Sequence, residues 1–179
     1  MRHELLAGIR LGMYSGLIGV VLALPTLSES YRIWTALAGP GAWPVVVENA
    51  VPAVLFALIG GLAARRGLSP SVVGSVSGLV YGLLQGTALY LIAALTMDKA
   101  ALAARLWHAW VAAGRTASAA VRTLVQAPVL HPNPTAYIAG DSVQMAVVGL
   151  VAAVVGAALV RRAPKAPPDQ AGYRSMPPR

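Results

Sequence analysis

Long stretches without a charged side chain constrain most strongly what this chain can fold into. The longest, residues 68–97, contains no Asp, Glu, Lys or Arg. A helix needs about 20 mostly apolar residues to cross the hydrocarbon of a bilayer, and only helices and closed barrels satisfy their own backbone there. We therefore predict an all-α integral membrane protein. Its bundle of about four transmembrane helices should cover residues 7–28, 44–64, 68–97 and 142–160 of one domain, residues 1–162.

The composition favours the same class. Only 11% of the residues are charged and 57% are apolar, whereas soluble domains carry about 25% charged residues. Such a chain lacks the polar groups to cover a water-facing surface, so its principal partner should be the lipid bilayer. The absence of cysteine excludes disulfides, thiolate metal sites and a cysteine nucleophile.

The basic residues predict the orientation of the bundle. The net charge is +8, but the basic residues lie mostly beside the apolar stretches and in the tail, which is typical of membrane orientation and not of nucleic-acid binding. With four crossings, three basic groups share one side, which the positive-inside rule assigns to the cytoplasm together with both termini. The groups are Arg2 and Arg10, Arg65 and Arg66, and Arg161, Arg162 and Lys165. Arginine outnumbers lysine, and Ala, Gly and Val dominate, which is typical of a GC-rich bacterial genome and suggests a bacterial inner membrane.

The segments outside the predicted spans have their own patterns. Residues 99–126 are rich in alanine and lack proline, and Arg105, Arg115 and Arg122 recur on one helical stripe. This predicts an amphipathic helix in the second outer loop, lying on the outer membrane surface or packed against the outer ends of the bundle. Residues 127–140 should form a proline-rich loop, and residues 163–179 a flexible cytoplasmic tail.

Glycines recur at every fourth position in two of the predicted spans. Residues four apart share a helix face, and a glycine face lets two helix backbones approach closely in a membrane. We interpret these two ladders as a glycine zipper for helix packing, in preference to a pore, a ligand groove or chance. The spacing leaves open whether the partner helix belongs to the same chain. The ladder residues are Gly8, Gly12 and Gly16, and Gly74, Gly78, Gly82 and Gly86.

The ladders also hint at an internal duplication of a helix pair. The first three glycines of each ladder are related by a constant offset of 66 residues. The second and fourth spans each begin near an acidic residue and end in paired arginines. Glycine spacing can recur for packing reasons alone, so duplication is only one interpretation.

A polar stripe runs beside the second ladder. Ser77, Tyr81 and Gln85 are again four residues apart, and Glu48 lies near the start of the second span, followed by Pro52. Polar groups in hydrocarbon seek partners, so interhelical hydrogen bonds explain the stripe, with Glu48 marking the interface. The alternative is that all four residues line a polar cavity, in which Glu48 binds a cation or proton.

Enzymatic signatures are missing from the sequence. We find no HExxH, GxSxG or phosphate-binding glycine loop, and the histidines show no metal-ligand spacing, so we expect neither catalysis nor a cofactor. The leading hypothesis is a structural or accessory membrane protein that acts through helix–helix contacts, in a homo-oligomer or a larger membrane complex. The alternative is a small oligomeric permease or channel. A third hypothesis, a membrane enzyme, would use His108 and His131 on the outer face.

Overall fold

The computed structural model describes residues 1–24, 28, 33, 37, 43–95 and 98–162, of which residues 43–48 are described by their backbone. All regular structure in these ranges is helical, which confirms the predicted all-α class. The described ranges form six helices: α1 (Arg2–Ala23), α2 (Trp43–Arg65), α3 (Pro70–Leu95), α4 (Lys99–Ala112), α5 (Ala119–Leu130) and α6 (Pro134–Arg162).

Three of these helices, α1, α3 and α6, are long and apolar enough to cross a membrane. Within α2, the stretch Asn49–Arg65 is a shorter apolar helix. Many large apolar side chains on these helices are exposed, including Leu17, Leu58 and Leu159. Exposed apolar surface of this extent is what a membrane protein presents to acyl chains, so the helices indicate a membrane protein.

Helix α3 lies at the centre of the bundle. It packs most extensively against α6, then against α1, and α2 packs mainly against α6. The order of contacts gives the directions: Gly8 and Gly16 of α1 meet Val76 and Leu84, so α1 runs parallel to α3.

Helix α6 runs antiparallel to α3 and parallel to α2. Gly74 and Gly86 meet Gly149 and Tyr137, in the reverse order along α6. Asn49, early in α2, accepts a hydrogen bond of 2.7 Å from the Gln144 side chain. The starts of α1 and α3 and the ends of α2 and α6 therefore share one end of the bundle, and so do the arginines beside them. We call it the arginine end.

The connection between α2 and α3 is short because a glycine reverses the chain. Gly67 has a φ of 68°, a left-handed conformation that costs glycine little. The Leu68 N–H then donates to the Ala63 carbonyl at 2.9 Å, which closes the end of α2 as a Schellman motif. The next residue, Ser69, donates its N–H to the Glu4 carboxylate at 2.9 Å, which ties the start of α1 to the start of α3.

The predicted loop over residues 127–140 is wrong for most of its length. Helix α5 continues to Leu130 and α6 begins at Pro134, because proline suits the first turn of a helix. Asn133 caps that turn by accepting from the Thr135 N–H at 2.9 Å. At about 1.5 Å per residue, α6 is about 43 Å long, which exceeds the hydrocarbon thickness of about 30 Å. Its first turns therefore extend beyond the span predicted at residues 142–160.

The single amphipathic helix predicted over residues 99–126 is also wrong, since two helices occupy this region. Gly114 breaks the helix with a φ of 70°, and the Trp110 indole N–H donates to the Thr116 carbonyl at 3.0 Å across the turn. Ser118 then starts α5 by accepting from the Val121 N–H at 3.2 Å. Helices α4 and α5 pack against each other as a hairpin, and its position on the membrane surface stays a prediction.

The hairpin is held by aromatic and polar contacts between its arms. The Arg122 guanidinium lies 5.8 Å from the centre of the Trp107 ring, and the Gln126 amide donates to the Ala103 carbonyl at 2.9 Å. Helix α4 buries Leu102, Ala103 and Leu106, whereas no residue of α5 is buried. The predicted arginine stripe is divided, with Arg105 on α4, Arg115 in the turn and Arg122 on α5.

Duplication of one helix pair predicts that both pairs pack in the same way, whereas the two pairs in this structure pack differently. In the second pair, the ladder of α3 faces its own pair partner α6. In the first pair, the ladder of α1 faces α3, and α1 makes few contacts with α2. The predicted tail, residues 163–179, lies outside the described residues.

Candidate functional site

The ladder on α3 brings the backbones of α3 and α6 into close contact. A Cβ placed on Gly82 would lie 2.5 Å from the Asp141 carbonyl oxygen and 2.6 Å from the Ser142 Cα. Real Cβ atoms do not approach backbone so closely, so only glycine permits this spacing of α3 and α6. The other three ladder glycines of α3 also face α6 backbone atoms: Gly74 meets Gly149, Gly78 meets Met145, and Gly86 meets Tyr137.

The ladder on α1 meets α3 in a different way. A Cβ on Gly12 would lie 2.7 Å from the Val80 Cβ and 2.8 Å from the Ser77 carbonyl oxygen. Gly8 and Gly16 likewise face the side chains of Val76 and Leu84. Branched side chains of α3 therefore pack against the glycine face of α1. All seven predicted ladder glycines therefore have close neighbours on helices of this chain.

Sequence reasoning missed three glycines of the same interface system. Gly60 of α2 faces Ala153, and Gly156 of α6 faces the Ala57 carbonyl, so these two glycines set the close contact of α2 with α6. Gly19 lies against the Tyr81 ring. These positions fall off the four-residue ladders, so spacing alone does not reveal them. The adjacent pair of glycines at 60 and 61 was the available signal.

Two members of the predicted polar stripe are engaged between helices. The Ser77 hydroxyl is fully buried and donates to the Gly8 carbonyl at 3.0 Å, which joins α3 to α1. The Tyr81 ring is buried and packs edge-on against Phe56, with ring centres 5.4 Å apart. Both side chains therefore reinforce the same contacts that the glycines permit.

Gln85 differs from the other stripe residues. Its side chain is 94% buried, at 6% relative exposure, and its Oε1 atom has no hydrogen-bond partner among the described residues. A buried unpaired amide oxygen costs about 1–3 kcal/mol. The Gln85 Oε1 atom is therefore a hydrogen-bond acceptor inside the bundle that no described residue uses.

The fourth predicted lining residue, Glu48, belongs to the backbone-only part of α2, and its side chain lies outside the described residues. Pro52, one helical turn further on, is buried and cannot donate to the Glu48 carbonyl. Two grooves lie on the outer faces of the bundle, one between α3 and α6 and one between α2 and α6. Neither of them is lined by Ser77, Tyr81 or Gln85.

The two histidines of the enzyme hypothesis lie on or beside the hairpin in the described part of the chain. His108 lies on α4 and His131 follows α5, and both are exposed. Among the described side chains, no three His, Asp or Glu residues converge in a way that would hold a metal ion. The close helix contacts exclude lipid and water from the backbone atoms that face each other.

Comparisons with known proteins give no relative from which to transfer a role. No family model matches the chain, and no curated protein or solved structure matches it either. The contacts within the molecule are therefore the basis for a functional proposal.

Replacing Gly82 with alanine should destabilise the bundle, because the added methyl group meets the Asp141 and Ser142 backbone. Overpacking of this kind typically costs about 1–3 kcal/mol. Thermal unfolding of the purified protein in a mild detergent measures the effect. Gly140→Ala is the matched control, since it lies on exposed α6 surface with nothing within 4 Å of a new Cβ. Equal melting temperatures for the Gly82 variant and the unaltered protein would contradict the assigned contact.

Proposed function

We propose that this chain is a polytopic membrane protein with four crossing helices, α1, α2, α3 and α6, and that it serves as a structural or accessory protein. Its membrane is the inner membrane of a bacterium, and both termini are cytoplasmic. The observation that carries the proposal is the close backbone contact of α3 with α6. Among the described residues, no group of three or more potential metal ligands converges.

Two observations support α2 as the fourth crossing. At about 1.5 Å per residue, its 23 residues span about 34 Å, which suffices for the hydrocarbon of about 30 Å. The Arg115 guanidinium donates to the Leu37 carbonyl, which places Leu37, between α1 and α2 in the chain, close to the tip of the α4–α5 hairpin. The ends of α2 would then lie on opposite sides of the bilayer.

The small-residue contacts also define how such a protein would meet its partners. The ladder faces are used inside the chain, so a second subunit would contact the lipid-facing sides of the helices or the hairpin. A homo-oligomer or a larger membrane complex fits this arrangement, because a rigid bundle presents fixed surfaces to its neighbours. The contact surface itself is part of the proposal and is open to cross-linking.

Single cysteines test the four crossings cleanly, because the chain has no cysteine of its own. We expect Leu37→Cys and Ala117→Cys to react with a membrane-impermeant maleimide on spheroplasts, in which the inner membrane is intact. Arg66→Cys and Arg162→Cys should react only after permeabilisation. If Leu37→Cys and Arg66→Cys became accessible from the same side, α2 would not cross the membrane and the topology would be refuted.

A second candidate function, a small oligomeric permease or channel, is favoured by one observation. The unpaired Oε1 of Gln85 lies buried in the bundle, and an unused acceptor within a membrane is a group that a permeating solute or ion can bind. Against this, Ser77 and Tyr81 are engaged in helix contacts.

Flux across liposomes separates the two functions. For an accessory protein, proteoliposomes should leak K⁺, Na⁺, H⁺ and small neutral solutes at the rate of protein-free vesicles. A permease would instead give flux that Gln85→Leu abolishes and the matched surface variant Gly140→Ala preserves. Flux with that dependence on Gln85 would replace the accessory function with the transport function.

A further inference from the structure

Two grooves follow the sides of α6 down to the arginine end. The first, of about 410 Å³, separates α6 from the start of α3. Its wall is apolar and its end is polar, formed by Val154, Ala157 and Ala158, and by Ser71, Arg161 and Arg162. The second groove, between α6 and α2, has an apolar wall that includes Leu58 and ends at Arg65. Volumes of a few hundred Å³ are typical of small-ligand sites.

The described lining of the first groove is basic at its arginine end. No carboxylate is among the described residues that line it, and Arg161 and Arg162 are both exposed. The described acidic residue at this end, Glu4, accepts the Ser69 N–H hydrogen bond at the start of α3. Two arginines and a serine that line the same groove suit the oxygens of a phosphate, because arginine can donate two parallel hydrogen bonds to them.

The wall of the groove indicates what carries that phosphate. Val154 is 48% exposed and, with Ala157 and Ala158, continues the groove into the apolar part of α6. A free phosphate ion would use only the arginine end and would leave this wall empty. An occupant with a charged head and a hydrocarbon chain fills both parts, and anionic phospholipids have that chemistry.

We propose that the groove between α3 and α6 binds one anionic phospholipid. Arg161, Arg162 and the Ser71 hydroxyl hold its phosphate, and an acyl chain lies along Val154 and Ala157. Basic pockets between membrane helices are suited to such headgroups. The site requires only that the arginine end meets the headgroup layer, so it is independent of which side of the membrane that end faces and of the accessory function.

Binding of phosphatidylglycerol to the full-length protein in neutral detergent tests the site, with phosphatidylcholine of the same chains and inorganic phosphate as comparison ligands. Native mass spectrometry or thermal stabilisation measures binding. The Arg161→Gln/Arg162→Gln variant should lose about 30-fold in affinity for phosphatidylglycerol, at about 1 kcal/mol for each arginine. The matched control, Arg65→Gln/Arg66→Gln, removes the same charge at the same end and should bind more tightly than the first variant.

A second variant tests the apolar wall while keeping both arginines. Ala158→Trp fills the groove and should also weaken phosphatidylglycerol binding, whereas attraction by surface charge alone would leave binding unchanged. Equal losses in the two arginine pairs, or no loss with Ala158→Trp, would overturn the site. Stabilisation by inorganic phosphate equal to that by phosphatidylglycerol, or equal binding of phosphatidylcholine, would overturn it too.

Discussion

Close approach of helix backbones is the constraint on which the rest of this structure depends. In lipid, helices gain no hydrophobic energy by associating, because acyl chains are as apolar as their side chains. Association therefore relies on dispersion contacts and on hydrogen bonds between helices. Gly82 and its neighbours on α3 remove the side chains that would hold α6 away. The many contacts of backbone with backbone that follow are individually weak and collectively large.

The central position of α3 follows from this constraint. One face of α3 is flat and receives α6, whereas Val76 and Val80 project into the flat face of α1. Ser77 lies between these two faces, and its hydroxyl donates a hydrogen bond to the Gly8 carbonyl. With the small-residue faces used internally, the exposed surface consists of large apolar side chains and of the grooves beside α6.

Much of this fold could be predicted from residue patterns. Where the prediction is wrong, the error has a physical cause. Uncharged length locates the long helices, and four-residue spacing identifies which glycines share a face. Spacing cannot identify the partner, because α1 and α3 carry the same ladder, yet the nearest atoms to it belong mainly to side chains for α1 and mainly to backbone for α3. The loop predicted over residues 127–140 includes Pro134, although proline also starts helices. The helix predicted over residues 99–126 includes Gly114, because single glycines are tolerated in a helical pattern.

If the glycine faces are used within one chain, a pair of cysteines across the contact of α1 with α3 should cross-link inside that chain. A Cβ placed on Gly8 lies 2.8 Å from the Val76 Cβ, so a small outward shift of α1 from α3 reaches the separation of about 3.5–4.5 Å that a disulfide requires. Under oxidation in the membrane, a chain carrying both Gly8→Cys and Val76→Cys should form an internal disulfide and remain a monomer. Two chains that each carry one of these cysteines, expressed together, should give no covalent dimer. A covalent dimer from the mixed chains would show that the ladders join separate molecules and would contradict the account.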